Sequence, residues 1–302
     1  MAEYKALLIK PAKGVIAAFE DTKAKVLQVH DCLEGLRALV RHRPDFVVVQ
    51  ADLPGLSGLS LARIAHLLQL PTPFLLTSPA PDTKADRIAA SLPNAKNILL
   101  EGAFFYDLKH FLAAHDKARS RGEREEHPPR EVNFLEHEWA ALLGEHDRQR
   151  VLILEPDALT RRALAIKLDA SMDCQLFSAS DGLEGLAKAL FINPDLILSE
   201  VDLPTLGGMH LAQIFNILGK PFPLVFVTAE ESLEVQKKAS QIPGVIGLIH
   251  KSRLPRKGFL IMAMRQFLAR ARPAAKPSGP PQPNPNPASP RPLVAAPPSA
   301  KD

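Results

Sequence analysis

Residues 180–229, SDGLEGLAKALFINPDLILSEVDLPTLGGMHLAQIFNILGKPFPLVFVTA, decide the fold because their motifs occur twice in the chain. Residues 31–78, DCLEGLRALVRHRPDFVVVQADLPGLSGLSLARIAHLLQLPTPFLLTS, contain the same pieces in the same order. Both segments have LEGL, an apolar run after Pro-Asp, then DLP, and finally an apolar run ending near a threonine. Pro54 and Pro204 of the two DLP motifs are 150 residues apart. A repeat of this length indicates a duplicated domain and not a solenoid.

Each copy alternates short apolar runs with segments of helical periodicity. The apolar runs are 6–9, 25–29, 46–49, 74–77 and 97–100 in the first copy, and 151–154, 174–178, 196–199, 223–228 and 245–249 in the second. The helix-like stretches of the second copy lie near 158–171, 182–192, 208–218, 231–241 and 257–271. Nearly continuous apolar strands separated by amphipathic helices predict an α/β fold with a parallel sheet covered on both faces. We therefore expect two doubly wound, flavodoxin-like, five-stranded domains with their sites at the carboxyl ends of the strands.

Composition argues against several other classes of protein. The chain has 302 residues, and its apolar runs are shorter than the ~20 residues that a membrane helix needs, so we expect no membrane association. Charged residues near the N-terminus (MAEYKALLIK) and only two cysteines, Cys32 and Cys174, favour a cytoplasmic protein without a disulfide framework or a four-cysteine zinc site. A net charge of +4, spread along the chain, argues against nucleic-acid binding.

Two segments differ in composition from the repeats. The charge-dense linker contains Val132, Leu135, Trp139 and Leu142 at helical spacing, which predicts a short amphipathic helix that packs on a domain or binds a partner. The C-terminal segment contains eleven prolines and predicts a disordered tail, either solubilising or a proline-rich ligand. The predicted divisions are a first domain at 1–118, a linker at 119–150, a second domain at 151–272 and a tail at 273–302.

The second copy resembles the receiver domain of bacterial two-component response regulators. The resemblance rests on VLILEPDALTRRAL, SDGLEGL, NPDLILSEVDLPTLGG, VFVTA and GLIHKSRLP, which follow in the right order across residues 150–272. The first copy is similar through DLPGLSGLSLARI. The resemblance implies a site in which acidic side chains hold Mg²⁺, an aspartate accepts a phosphoryl group, and a hydroxyl and a lysine bind its oxygens.

The second copy fills the positions of this site incompletely. The resemblance assigns the acidic pair to Glu155 and Pro156, the phosphoacceptor to Glu200, the switch hydroxyl to Thr228 and the conserved lysine to Lys251. We expect Lys251 to remain in the pocket and to pair with one of the two glutamates.

Two of these replacements predict a pseudo-receiver. Pro156 has no carboxylate, so a metal ligand is lost unless Asp157 replaces it. Glu200 carries its carboxylate one methylene further out, and ~1 Å of misplacement costs roughly a hundredfold in rate. We expect no cofactor, with Mg²⁺ held by Glu155, Asp157 and Glu200 as the alternative. The permanent charge of Glu200 beside Lys251 is expected to imitate part of a phosphorylated state.

The first copy departs further from the pattern. Its acidic pair is replaced by Lys10 and Pro11, its acceptor by Gln50 and its lysine by Glu101, while Thr77 keeps the hydroxyl. An amide is a poor nucleophile and Lys10 repels a metal ion, so we expect this copy to be catalytically inactive. Lys10 and Glu101 have exchanged the usual signs, and an ion pair between them is one arrangement that the sequence allows.

These observations favour a signalling protein of the response-regulator type that is not an enzyme. We expect a phosphorylation-independent protein–protein interaction module, with other signalling proteins as partners: a histidine kinase or a motility or polarity component. The fourth and fifth helices are the expected contact face, for partners or for a homodimer. The alternatives are a phosphorelay receiver whose second domain still accepts a phosphoryl group and, ranked lower, a nucleic-acid-binding regulator.

Overall fold

In the computed structural model, each copy of the repeat forms a five-stranded parallel sheet with helices on both faces. The structure describes residues 4–20, 22, 24–95, 98–120, 148–230, 232–256 and 258–271. In chain order, the strands are β1 (Tyr4–Ile9), β2 (Ala24–Val29), β3 (Phe46–Gln50), β4 (Phe74–Ser78), β5 (Leu99–Leu100), β6 (Gln149–Leu154), β7 (Cys174–Ala179), β8 (Leu196–Ser199), β9 (Leu224–Thr228) and β10 (Val245–His250). The helices are α1 (Lys13–Glu20), α2 (Cys32–His42), α3 (Gly58–Leu67), α4 (Thr83–Ala90), α5 (Phe104–Ser120), α6 (Ala158–Asp169), α7 (Gly182–Ile192), α8 (Gly208–Ile217), α9 (Leu233–Ser240) and α10 (Phe259–Ala271).

The two sheets have the same topology. The strand order is β2-β1-β3-β4-β5 in the first and β7-β6-β8-β9-β10 in the second, and every strand pair is parallel. In each sheet the strand order changes direction beside the first strand, β1 or β6. This arrangement confirms the predicted doubly wound fold and places the ends of β6, β8, β9 and β10 along one edge.

The apolar strands are buried because helices cover both faces of each sheet. The central strand β8 is buried throughout, and so is β3 up to Val49. On one face of the second sheet, α6 and α10 contribute Leu168 and Met264 to a buried cluster. On the other face, α7 and α8 contribute Leu186 and Leu211. The sequence alternation predicts these layers correctly because each strand run is too apolar to face water on either side.

The first helix of each domain differs between the copies. In the second domain, Asp157 caps α6 by accepting a hydrogen bond from the Thr160 backbone N–H at 2.7 Å. Ala12 stands at the corresponding position before α1, where it offers no side-chain acceptor, and α1 has 8 residues against 12 in α6. A capped N-terminus satisfies otherwise unpaired backbone donors, so α6 begins with a better cap than α1.

The ends of the elements lie within about two residues of the predicted runs; β1 and β6, for example, each begin two residues earlier than predicted. In β5, Leu99–Leu100 form the strand. The predicted linker helix lies outside the described residues, and so does the proline-rich segment. In the part of the chain that the structure describes, no helix has the length and apolar character needed to cross a bilayer.

Candidate functional site

Three charged side chains meet at the carboxyl edge of the second sheet. Glu155 follows β6, Glu200 follows β8, and Lys251 opens the 3₁₀ turn Lys251–Arg253 that follows β10. β6 pairs with β8, and β10 approaches through β9. The parallel sheet thus brings together residues that are almost 100 positions apart in sequence.

Lys251 bridges the two glutamates. Its Nζ lies 2.8 Å from Glu155 Oε2 and 2.5 Å from Glu200 Oε2. The other oxygens are also engaged: Glu200 Oε1 accepts a hydrogen bond from the Val201 N–H at 2.8 Å, and Glu155 Oε1 accepts one from the Asp157 N–H at 3.1 Å. The expected pairing of Lys251 in this pocket is confirmed, with both glutamates as partners.

Burial makes the charge balance of this cluster matter. The side chains of Glu155, Glu200 and Lys251 are 2%, 8% and 23% exposed. Burial alone lowers the pKa of Lys251, but hydrogen bonds and attraction from Glu155 and Glu200 outweigh it and raise that pKa. The ammonium therefore stays charged at neutral pH and neutralises one of two buried carboxylates.

The switch hydroxyl of the second domain lies at the same edge. Thr228 ends β9, is buried, and is the register partner of His250, the residue before Lys251. Its Oγ1 accepts a hydrogen bond from the Glu230 N–H at 3.2 Å. The hydroxyl therefore shapes the loop after β9.

The donor set does not fit a magnesium ion. Glu155 and Glu200 are bound to an ammonium group, and Pro156 supplies no side-chain oxygen. The carboxylate of Asp157 is used as the cap of α6, and its hydrogen bonds with Thr160 are the main cause that lowers its pKa. Within the described ranges, no group of three or more His, Cys, Asp or Glu side chains is arranged to hold a metal ion.

Arg161 is a site residue that the sequence interpretation does not include. Its guanidinium Nη1 donates to the backbone carbonyls of Glu155 at 2.6 Å and of Pro156 at 3.2 Å. A cation bound to these carbonyls fixes the turn that carries Glu155. Its position six residues after Glu155, on the first turn of a helix, is a sequence signal that could have indicated this role.

Among the described residues of the first domain, no corresponding charged cluster forms. Lys10 has a φ of 45°, and its N–H donates to the Val29 carbonyl at 2.8 Å. Among the described side chains, no ion pair joins Lys10 to Glu101, so the pairing allowed by the sequence is not formed. Gln50 and the buried Thr77 are register partners at the ends of β3 and β4. Only one of the five positions that correspond to the receiver site in this domain is acidic. These positions are Lys10, Pro11, Gln50, Thr77 and Glu101.

An open pocket of about 450 Å³ remains at this edge of the first sheet. It is lined by Gln50, Asp52, Ser78 and the segment Pro79–Thr83. Asp82 of that segment caps α4 through the N–H groups of Lys84 and Ala85. The pocket is therefore an open polar cleft beside Gln50 that is lined by two carboxylates, those of Asp52 and Asp82.

Comparison with known proteins agrees with this geometry. Residues 151–258 match the sequence family described as "Response regulator receiver domain". The chain is 29% identical over 96 residues to Sensor histidine kinase RcsC of Escherichia coli (strain K12), which covers 32% of this chain and 10% of the relative. It is 31% identical over 103 residues to Protein-glutamate methylesterase/protein-glutamine glutaminase 3 of Rhodospirillum rubrum, covering 34% of this chain and 28% of the relative. The chain thus spans less than a third of the length of these relatives.

Two of the solved structures to which the chain is similar are described as receiver domains. The response regulator domain of Thermotoga maritima CheB has 26% identity and a TM-score of 0.35, covering 40% of this chain and 97% of that one. A CheY-like receiver domain protein from Methanospirillum hungatei has 24% identity and a TM-score of 0.38, covering 41% of this chain and 97% of that one.

Proposed function

We propose that this chain, a member of the response-regulator family, acts as a phosphorylation-independent protein–protein interaction module. It carries two receiver-like domains in tandem. The observation that carries the proposal is the position of Lys251 between Glu155 and Glu200. An ammonium held by two buried carboxylates supplies from within the protein the positive charge that a metal ion would otherwise bring. The ammonium offsets one of the two buried carboxylates, and the acceptor position holds Glu200 instead of an aspartate.

A labelling experiment tests independence from phosphorylation. The full-length protein is incubated with acetyl phosphate and MgCl₂, and its intact mass is measured against a receiver that has the complete acidic set. We expect no phosphoryl adduct on this chain while the reference receiver is labelled. The Glu200 carboxylate is one methylene further from the backbone than that of an aspartate, and it is paired with Lys251. A stoichiometric adduct on Glu200 would contradict the proposal and favour the phosphorelay alternative.

Exposed apolar side chains on the fifth helix of the first domain support an interaction role. Phe105 and Tyr106 on α5 and Leu100 on β5 are exposed, and the ammonium of Lys109 lies 4.2 Å from the centroid of the Phe105 ring. Aromatic side chains are enriched at interfaces, where they bury a large area with few rotatable bonds. We propose that this face receives a signalling partner or a second copy of the chain.

Substitution of one aromatic residue tests this face. Tyr106→Asp is expected to reduce partner recovery in a crosslinking pull-down from the native cell at least tenfold, because it places a charge in an apolar contact. Leu159→Asp is the control, since Leu159 is also a large, mostly exposed hydrophobic side chain but lies on α6 of the second domain. Equal recovery with both variants would show that α5 does not provide the contact.

A further inference from the structure

Two contacts join the first domain to the second. Ser60 Oγ on α3 donates a hydrogen bond to the Thr205 carbonyl in the loop before α8 at 3.2 Å. The His210 ring on α8 lies against the backbone of Gly55, where a methyl group would be 3.3 Å from His210 Nε2. Gly55 has a φ of 80° in the loop before α3, a conformation that glycine adopts without strain.

These contacts are equivalent under the sequence repeat. Gly55 and Thr205 are 150 residues apart, and so are Ser60 and His210. Pro54 and Pro204 of the repeat have the same separation. The loop of each domain therefore contacts the third helix of the other domain at matching positions. Such reciprocity is the defining property of an isologous interface around a two-fold axis.

Apolar side chains continue across the same surface. α2 of the first domain contacts α8 of the second. One continuous cluster of buried apolar residues includes Leu56 and Leu61 from the first domain together with Leu206 and Leu211 from the second. These are again two pairs that are 150 residues apart. A buried apolar centre flanked by polar contacts is the usual anatomy of a specific interface.

The interface begins next to the pocket in each domain. In the second domain, Glu200 accepts a hydrogen bond from the Val201 N–H at 2.8 Å, and the Val201 carbonyl accepts one from Gly208 at 2.8 Å. The loop held in this way carries Thr205, which accepts the hydrogen bond from the first domain. In the first domain, the corresponding loop starts after Gln50. Each degenerate acceptor position is thus linked to the interface by a few residues.

We propose that the loops after β3 and β8, together with α2, α3 and α8, form a homotypic receiver–receiver interface whose occupant is the sister domain of the same chain. The protein is then a covalently linked, pseudo-symmetric receiver dimer that leaves the exposed side chains of α5 outside the contact. The contact between the domains does not depend on whether either pocket accepts a phosphoryl group.

Hydrogen exchange on the full-length protein tests the contact. His210→Glu places a carboxylate against Gly55. It also places that carboxylate near Asp31, which caps α2 and interacts electrostatically with His210 in the natural protein. We expect amides of residues 55–60, in the domain that does not carry the substitution, to exchange at least tenfold faster. Gln236→Glu, which adds the same charge on the exposed surface of α9, is expected to leave them unchanged.

A disulfide experiment identifies the occupant. Ser60→Cys and Thr205→Cys in one chain are expected to form a disulfide within that chain, so the oxidised protein stays monomeric in a denaturing gel without reductant. The natural Cys32 and Cys174 are buried, and burial raises the pKa of both thiols, so they should not compete. A disulfide between chains would assign the face to a second copy instead. Absence of any disulfide, with unchanged exchange in His210→Glu, would overturn the interface.

Discussion

Replacing Lys251 by methionine is expected to lower the free energy of unfolding of the full-length protein by about 3 kcal/mol, as is typical when one partner of a buried ion pair is removed. Glu155 and Glu200 would then share a buried pocket without the ammonium that lies 2.8 Å and 2.5 Å from them. Methionine keeps most of the aliphatic volume, so the loss reports charge and not packing. Urea denaturation followed by circular dichroism measures it.

The matched control removes an ion pair of similar length from the surface. Lys238 Nζ lies 2.6 Å from Glu234 Oε1 on α9, but both side chains are mostly exposed. Lys238→Met is expected to leave stability unchanged within error, because exposed pairs are screened by water and salt. Adding Glu200→Gln to Lys251→Met should recover part of the loss, since one carboxylate then remains. Equal effects of the two lysine substitutions would refute the view of a buried charge cluster.

The pH dependence of this contribution follows from the raised pKa of Lys251. A lysine whose pKa is higher in the folded than in the unfolded state stabilises the fold fully below its ordinary value of 10.5. That contribution is lost as pH rises through the folded-state pKa. The stability difference between the natural protein and Lys251→Met should therefore shrink in alkaline solution.

The strand ends could be predicted from sequence because each belongs to a repeated motif. Glu200 follows a buried strand and precedes DLP, so its place at the edge of the sheet follows from the topology. Lys251 was likewise expected to face the glutamates. The roles of Asp157 and Arg161 were not predicted, because capping and carbonyl binding depend on how one helical turn meets a strand end. Residue spacing alone does not distinguish a cap from a metal ligand.

The contact between the domains was also beyond the sequence interpretation. Gly55 and Thr205 occupy equivalent positions with different residues, as do Ser60 and His210, so the repeat itself carries no conserved contact pair. The interface depends on how the two copies are placed, and sequence periodicity describes only the interior of each copy. The apolar residues Leu56 and Leu206 would be assigned to the core of their own domain from the pattern alone.

The close approach of α8 to the chain at Glu200, directly after β8, predicts a second large effect. Gly208→Ala is expected to lower the free energy of unfolding by about 2 kcal/mol, within the range for overpacking a closely packed site. The added methyl group would clash with the Glu200 carbonyl oxygen, which belongs to the backbone, and would lie 2.9 Å from Ser199 Oγ. The start of α8 must therefore move away from the strand end.

Gly14→Ala provides a control of opposite sign for Gly208→Ala. Gly14 lies in α1, and a methyl group there would meet nothing within 4 Å, so alanine should stabilise the protein by roughly 0.5–1 kcal/mol through its higher helix propensity. Urea denaturation of both variants measures the difference. Because Gly208 also holds the loop that carries Thr205, its substitution should increase amide exchange in residues 55–60 of the other domain, while Gly14→Ala should not. A stabilised Gly208→Ala protein would mean that α8 starts far enough from the Glu200 carbonyl to accept a methyl group. Unchanged exchange in residues 55–60 would mean that the pocket and the interface are not coupled through this loop.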